Sequence, residues 1–531
     1  MQPSLCLPLV LANAQCAGAR TGIKPALVFS LLCALAACAQ LPPQSERLPE
    51  VAIEPGQDSP LDRAVLTAEA PRAAQSAFRL LIEGPEALAV RAHSARMATR
   101  SLDVQTYLWH TDLTGLFFAN ELLAAADRGV KVRLLLDDLD ARAKSASLAA
   151  LAAHSNIEVR LFNPFASRSG MARFVIEGVT SFSRINRRMH NKSWIADNRL
   201  AIVGGRNFGD EYFGASDSVN FVDLDFAMIG PVVPQVSASF DAYWNSPSAY
   251  SLQALDPDAV NPVALEQLRT LLRSHAGEAE NSPYGVALRA SDSIQRMLDG
   301  DWPLVWSTTY RFVADDPLKS TKQDRDSATS EVLAALTPIA RTTTTDLTII
   351  SPYFVPGKKG SRLLIDTARA GKRVRVLTNS LVATDVAAVH AGYSRSRKDL
   401  LRGQVQLWEL KPLRGDTAES TSVGSSGASL HTKALSVDGK TIFVGSYNLD
   451  PRSTWLNCEQ GVLVESAALV AQLDTIFSQQ ISGQRAWRVS LDEDALRWSD
   501  GNETFDSEPM AGAGRRFQAW LARVLHLDAQ L

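Results

Sequence analysis

Cysteine is nearly absent from the part of this chain that must fold. The 531 residues hold five, and four of them (Cys6, Cys16, Cys33 and Cys38) fall within the first 38 positions. Only Cys458 lies beyond, so no intramolecular disulfide can organise the bulk of the chain, and no cysteine spacing fits a zinc site. A basic excess is also missing. Lys and Arg total 54 against 57 Asp and Glu, a net charge of −3, whereas a dedicated nucleic-acid binder usually carries a clear positive surplus. Nor is there a long apolar run: residues 26–37 fall short of the roughly 20 needed to cross a bilayer as a helix. What remains, 46% hydrophobic and 21% charged, is ordinary globular composition, and the length allows two or three domains with full cores.

The short apolar run has a different use. Arg20 and Lys24 precede it, and it closes on Leu35-Ala36-Ala37-Cys38. A charged flank, a short apolar core and small residues before a cysteine resemble a bacterial lipobox, which implies cleavage before Cys38 and lipidation of its thiol. Residues 1–38 are therefore expected to be a leader. Residues 39–74, rich at first in Pro, Gln, Ser and Glu, are expected to form a flexible tether. The expected compartment is the bacterial cell envelope, membrane-associated and facing the periplasm.

Beyond the tether, strand-like and helix-like segments alternate. Residues 102–108 are β-rich, 116–128 have helical periodicity, and 130–136 form a short aliphatic strand ending at Asp137-Asp138. The order recurs at 347–353, 361–370 and 373–377. Gly129 and Gly371 end the two helices in equivalent places. This β-α-β pattern predicts an α/β fold in two related halves. Residues 251–310 match neither half and read as a helical connecting insertion. Residues 314–330 are polar and are expected to be an exposed loop. At the end, Phe517, Trp520, Leu521, Val524 and Leu525 share one helical face beside Arg515, Arg516 and Arg523; an interfacial helix and a core-packed one fit equally.

A second repeat carries chemistry. Met189-His190-Asn191-Lys192 is followed by Asp197, Gly204-Gly205 and Asn207; Leu430-His431-Thr432-Lys433 is followed by Asp438, Gly445-Ser446 and Asn448. In both copies Lys stands at +2 from His, Asp at +7, Gly at +14 and Asn at +17. Residues two apart on a strand face the same way, so each His shares a face with its Lys. Asp197-Asn198 and Asp438-Gly439 are turn residues, which makes each copy a hairpin returning His, Lys and Asn to one end. The glycines leave room for a phosphate to approach the backbone. A duplicated structural hairpin has no use for a buried His and Lys, whose unpaired charge costs several kcal/mol.

The twin His-x-Lys-x4-Asp-x6-Gly-[Gly/Ser]-x-Asn pattern resembles the phospholipase D superfamily. Arg187-Arg188-Met189-His190, Phe208-Gly209-Asp210, Leu377-Thr378-Asn379-Ser380-Leu381, His390-Ala391-Gly392-Tyr393 and Asn448-Leu449-Asp450-Pro451-Arg452-Ser453 are similar to the bacterial cardiolipin synthase C group. The resemblance runs from about residue 75 to the C-terminus, and the lipobox departs from that group's pattern. It implies two pseudo-twofold-related α/β sandwich domains, over 75–250 and 311–510, with one active site between them and a terminal amphipathic helix over 511–531. It also implies phosphodiester transfer through a phosphohistidine, with one imidazole attacking phosphorus and the other moving the proton. His190 is favoured as nucleophile by the resemblance alone; the residues leave the two interchangeable.

Lys192, Lys433, Asn207 and Asn448 are expected to hold the non-bridging oxygens, with no metal and no cofactor. Each imidazole needs an orienting carboxylate. Glu459, and Asp225 aligned with it, are the expected pair, with Asp223 as the substitute. Asp197 and Asp438 are expected to be scaffold, and Arg184, Arg187, Arg188 and Arg452 are candidates for anionic headgroups. Membrane phospholipids (phosphatidylglycerol, phosphatidylethanolamine or cardiolipin) are the expected partners of an active monomer, through cardiolipin synthesis by phosphatidyl transfer. Hydrolysis to phosphatidic acid and, against the charge balance, a metal-independent nuclease are the alternatives.

Overall fold

The structure, a computed structural model, describes residues 41–525 apart from 45–47, 73, 169–176, 179, 292–294, 297–301, 323–329 and 413–428. The leader, the lipobox and Cys38 lie outside the described residues. The first sheet holds β1 (Ser76–Leu81), β2 (Ser101–Thr106), β3 (Lys131–Asp137), β4 (Ile157–Phe162), β5 (Ser193–Ala196), β6 (Leu200–Gly204), β7 (Asp225–Ile229), β8 (Ala249–Ser251) and β9 (Val305–Ser307). The second holds β10 (Tyr310–Ala314), β11 (Asp346–Ile350), β12 (Arg373–Asn379), β13 (Gln406–Leu410), β14 (Ala434–Val437), β15 (Thr441–Gly445), β16 (Gln460–Glu465), β17 (Ala486–Asp492), β18 (Ala495–Ser499) and β19 (Thr504–Phe505).

The two sheets are built on one plan. The first contains the run β4-β3-β2-β5-β6-β7-β1 and the second β13-β12-β11-β14-β15-β16-β10, position for position the same order. Three parallel strands give way to an antiparallel hairpin in each. Helices Leu113–Asp127 and Gly357–Arg369 make the crossovers. Gly129 (φ +95°) and Gly371 (φ +83°) turn the chain from helix to strand in a conformation that a side chain disfavours.

The halves share a core. One apolar cluster joins Phe78, Ile195, Val203 and Phe226 of the first sheet to Ile350, Leu377, Val444 and Val462 of the second. Helices Val233–Trp244 and Ala467–Gln480 contribute Phe240, Leu473 and Phe477 to it. The insertion is helical, with Pro262–Asn281 its longest element, and packs on the first half through Leu265, Leu268 and Leu272.

Two expectations need correction, and one left open between two readings is narrowed. The tether is not free over its whole length: Ser59 and Asp62 form a capping box that starts helix Pro60–Glu69, whose Leu61 and Val65 are buried. Asp62 pairs with Arg100 at 2.7 Å and Arg199 at 3.0 Å, and upstream Glu50 pairs with Lys131 and Arg160. The polar stretch after residue 314 is not simply exposed, because Asp315 and Lys319 are buried against one another at 2.7 Å. Finally, helix Ala513–Val524 docks through Ala519 and Ala522 and turns Phe517, Trp520, Leu521 and Val524 outward. Among the described residues no helix is long and apolar enough to cross a membrane.

Candidate active site

Each His-x-Lys segment enters a hairpin whose turn is fixed by the motif aspartate. Asp197 and Asn198 take φ of 50° and 53°, and Asp438 and Gly439 take 55° and 66°, as a two-residue hairpin turn requires. The Asp197 carboxylate accepts from the backbone N–H groups of Thr99, Arg100 and Ser101 where β2 begins. Asp438 accepts from Thr344, Thr345 and Asp346 where β11 begins. Both aspartates therefore fasten the hairpin to the neighbouring central strand, away from the histidines. At the other end, the Met189 N–H donates to Asp137 at 2.9 Å, and Leu430 is held in both directions by the Asn379 amide at 3.0 Å.

The two halves then cross. His190 Nδ1 lies 2.9 Å from Glu459 Oε2, and His431 Nδ1 lies 2.6 Å from Asp223 Oδ2. Each imidazole is thus oriented by a carboxylate of the opposite half. The backbone follows the same exchange: the His190 N–H donates to the Cys458 carbonyl and the His431 N–H to the Val222 carbonyl, both at 2.9 Å. Lys192 Nζ and Lys433 Nζ each donate to the carbonyl of their own motif histidine at 2.6 Å. Tyr107 packs edge-on against His190, while Tyr212 and Phe221 pack against His431.

The family described as "Cardiolipin synthase, PLD-like domain" matches residues 93–244 and 336–481, one stretch in each half. Cardiolipin synthase C of Escherichia coli (strain K12) is 42% identical over 454 residues, which cover 83% of this chain and 93% of that one. The chain belongs to the cardiolipin synthase family of phospholipase D-like proteins. A more distant family relative, cardiolipin synthase B of Escherichia coli (strain K12), is 25% identical over 69% of this chain and 71% of its own. Phosphatidylserine synthase from Haemophilus influenzae Rd KW20 superposes with a TM-score of 0.54 over 88% of this chain and 98% of that one; at 14% identity the likeness is of fold alone.

Burial sets the electrostatics of this phospholipase D-like site. It pushes His190 down to about 4, with Lys192 and Lys433 adding to the effect against Glu459. His431 is pushed well below its ordinary range by burial and by both lysines. The charge of each motif lysine is therefore felt at the opposite histidine. Lys192 falls to about 7 and Lys433 to about 8, again chiefly by desolvation. The carboxylates diverge. Burial raises Asp223 to about 7, with Lys433 and Arg206 opposing. Burial works against Glu459 too, but His190, Lys192 and Ser446 hold it below the usual carboxylate range. Ser446 Oγ and Ser453 Oγ both donate to Glu459, the latter at 2.9 Å.

Asp225 is not an orienting carboxylate. Its oxygens are held by Arg91 at 2.9 Å and by the backbone and guanidinium of Arg206 at 3.2 and 3.3 Å. The register explains the two-residue error: Gly204 pairs with Asp225 across β6–β7, and Gly445 with Gly461 across β15–β16. The counterpart of Glu459 is therefore Asp223. The motif glycines also make room for close neighbours within the protein. A Cβ on Gly204 would stand 2.1 Å from Asp225 Oδ1, and one on Gly205 2.2 Å from Asp223 Oδ1. In the second half a Cβ on Gly445 would meet the Gln460 carbonyl at 2.3 Å, and Ser446 fills the place of Gly205.

Other side chains are already engaged. The Asn207 amide donates to the Tyr212 hydroxyl at 2.8 Å and accepts from the Leu108 N–H at 3.2 Å; Asn448 Oδ1 is buried with no hydrogen-bond partner among the described residues. Of the arginines considered for headgroups, Arg184 pairs with Glu177, Arg188 with Asp137, Arg187 reaches the Trp455 carbonyl and Arg452 holds Asn186. Reading the sequence missed two supports. Gln460 Nε2 donates to the Lys192 carbonyl at 2.7 Å, and Asp315 brackets the Glu459 backbone, donating its N–H to the carbonyl at 2.8 Å and accepting from the N–H at 3.1 Å. The position of Gln460 directly after Glu459 was the available signal for the first; nothing local marked Asp315.

Proposed function

We propose that this protein transfers a phosphatidyl group between phospholipids through a phosphohistidine on His190, with cardiolipin as the product. The crossed His190–Glu459 and His431–Asp223 pairs carry the reading, because they tie two imidazoles from different halves into one charged site. Family membership and the relatives named cardiolipin synthase support the lipid substrate. Glu459 accepts from Nδ1 of His190, which leaves the Nε2 lone pair for phosphorus. On attack the P–N bond forms, the bond to the leaving oxygen breaks, and that oxygen takes a proton from His431. The acceptor hydroxyl then gives its proton to His431, its oxygen bonds to phosphorus, and the P–N bond breaks. An ionised Glu459 stabilises the charge His190 gains on attack. Asp223, held up near 7, leaves a protonated His431 a stronger acid.

The two lysines stand ready for the non-bridging oxygens. A phosphodiester anion restores to both amines the protons that burial disfavours. Asn448, whose Oδ1 has no partner among the described residues, is the better placed of the two asparagines to adjust on binding. Both rings are largely buried, which favours an alcohol carried in by a lipid over bulk water. One chain supplies both histidines and both carboxylates, so a monomer suffices. Lipidation of Cys38 would hold it at a membrane, facing the periplasm.

The test is product analysis by mass spectrometry with defined phosphatidylglycerol and phosphatidylethanolamine mixtures. Cardiolipin made by the native chain and lost in His190→Ala is expected. Phosphatidic acid as the sole product would replace transfer with hydrolysis, and turnover surviving His190→Ala would overturn the site.

A further inference from the structure

The C-terminal helix is folded with its apolar face outward. Helix Ala513–Val524 rests on the second half through its buried Ala519 and Ala522, and Ala519 joins Leu381 and Ala511 in a small apolar cluster. At about 100° per residue, Phe517, Trp520 and Val524 lie opposite that face, with Leu521 beside them. Phe517 is 58% exposed, Trp520 50% and Val524 49%. Of the sixteen exposed large hydrophobic residues among those described, six lie between Met510 and Leu525. The two rings stack at 5.7 Å, so the patch is a formed surface of this helix. Isolated exposed apolar residues are unremarkable, but a contiguous set on one helix face marks an interaction surface.

The charge beside it narrows the occupant. Arg516 and Arg523 are exposed and lie along one flank of the apolar face, about 40° and about 60° from Trp520. Arg515 is turned inward, donating to the Leu381 and Thr384 carbonyls. An apolar ridge of Trp, Phe, Leu and Val edged by arginine is the chemistry of a helix lying in the headgroup layer of an anionic bilayer. The base is held firmly: Glu508, just before the helix, binds His390 at 3.0 Å and Arg397 at 2.9 Å. It also lies beside the catalytic cleft. Thr384, which the helix grips, precedes Asp385, whose carboxylate accepts from the Tyr353 hydroxyl at 2.8 Å and whose charge is felt at Lys433.

We propose that helix Ala513–Val524 docks on an anionic phospholipid surface and turns the cleft toward it. The role as an interfacial orienting element rests on the lipid-substrate reading above; the membrane contact itself does not. The experiment uses the full chain with vesicles of phosphatidylglycerol brominated in the acyl chains. Fluorescence quenching should be greater for the native chain than for Trp520→Phe, and the difference should shrink with brominated phosphatidylcholine. Equal quenching of the two overturns the proposal, however the chain is anchored elsewhere. Phe517→Ser combined with Leu521→Ser should cut turnover of vesicle substrate about tenfold and leave turnover of a short-chain monomeric phosphatidylglycerol within about twofold. No turnover of either substrate by the native chain would remove the lipid reading while the quenching still decides the docking. A dimer in sedimentation that the double substitution dissociates, with vesicle quenching unchanged, would assign the face to a second copy and refute the membrane.

Discussion

Lys192→Met should stabilise the ligand-free protein while destroying its activity. The Lys192 amine is buried beside Lys433, and burial lowers it from an ordinary value near 10.5 to about 7. At about 1.4 kcal/mol per pK unit, holding that amine in the folded chain costs roughly 4 kcal/mol at neutral pH. Methionine fills similar space without the charge. Against this gain, the hydrogen bond to the His190 carbonyl is lost, about 1 kcal/mol, and Glu459 loses part of its support. A net gain of about 2 kcal/mol remains. For a cooperative unit of this size it raises Tm by only about 2 °C, within reach of calorimetry. The pH dependence makes the test decisive. Between about 7 and 10.5 the unfolded lysine binds a proton that the folded one does not, so the native chain grows more stable as pH rises. The advantage of Lys192→Met should be full below pH 7 and gone near pH 10.5. A lower Tm for the variant at pH 6.5, or a gain unchanged at pH 10, would refute the reasoning.

Three further outcomes follow from the geometry. Asp223→Asn should lower kcat by about a hundredfold or more with little change in Tm, because the carboxylate oxygen facing His431 Nδ1 gives way to an uncharged amide whose other oxygen is already held by the Leu224 N–H; Asp225→Asn should instead show first in Tm, since it strips Arg91 and Arg206 of their buried partner. Gly205→Ala should mimic Asp223→Asn in steady-state kinetics, its methyl displacing the Asp223 carboxylate from 2.2 Å away. For the native enzyme KM should rise as pH passes from about 7 to above 8, where first Lys192 and then Lys433 loses its proton and its hold on the phosphodiester anion; Lys433→Arg should move the upper part of that limb to higher pH in a KM-versus-pH profile.

Much of this site was legible because its residues repeat. The spacing of His190 to Asn207 recurs from His431 to Asn448, and a hairpin converts that spacing into geometry with little freedom. The scaffold role of Asp197 and Asp438 came from turn chemistry alone. The orienting carboxylate of the first half was misplaced by two residues because the chain between β6 and β7 is longer than that between β15 and β16, and only the ladder register aligns them. Asp315 was read as loop because its partners, Lys319 and the Glu459 backbone, are brought together by tertiary structure. The exchange of carboxylates between halves is a property of the interface, and no local pattern encodes it. The start of helix Pro60–Glu69 was different: Ser59 and Asp62 carried a capping signal that the surrounding composition obscured.

The central claim is that His190 bonds to phosphorus while His431 moves the proton. The most direct measurement uses phosphatidylglycerol labelled at phosphorus, the native chain stopped within its first turnovers, and an alkaline quench that preserves phosphohistidine. Mass spectrometry of the digest should place the phosphatidyl adduct on the peptide bearing His190. Label on a peptide from the second half, or steady turnover by the His190→Ala chain, would contradict the account.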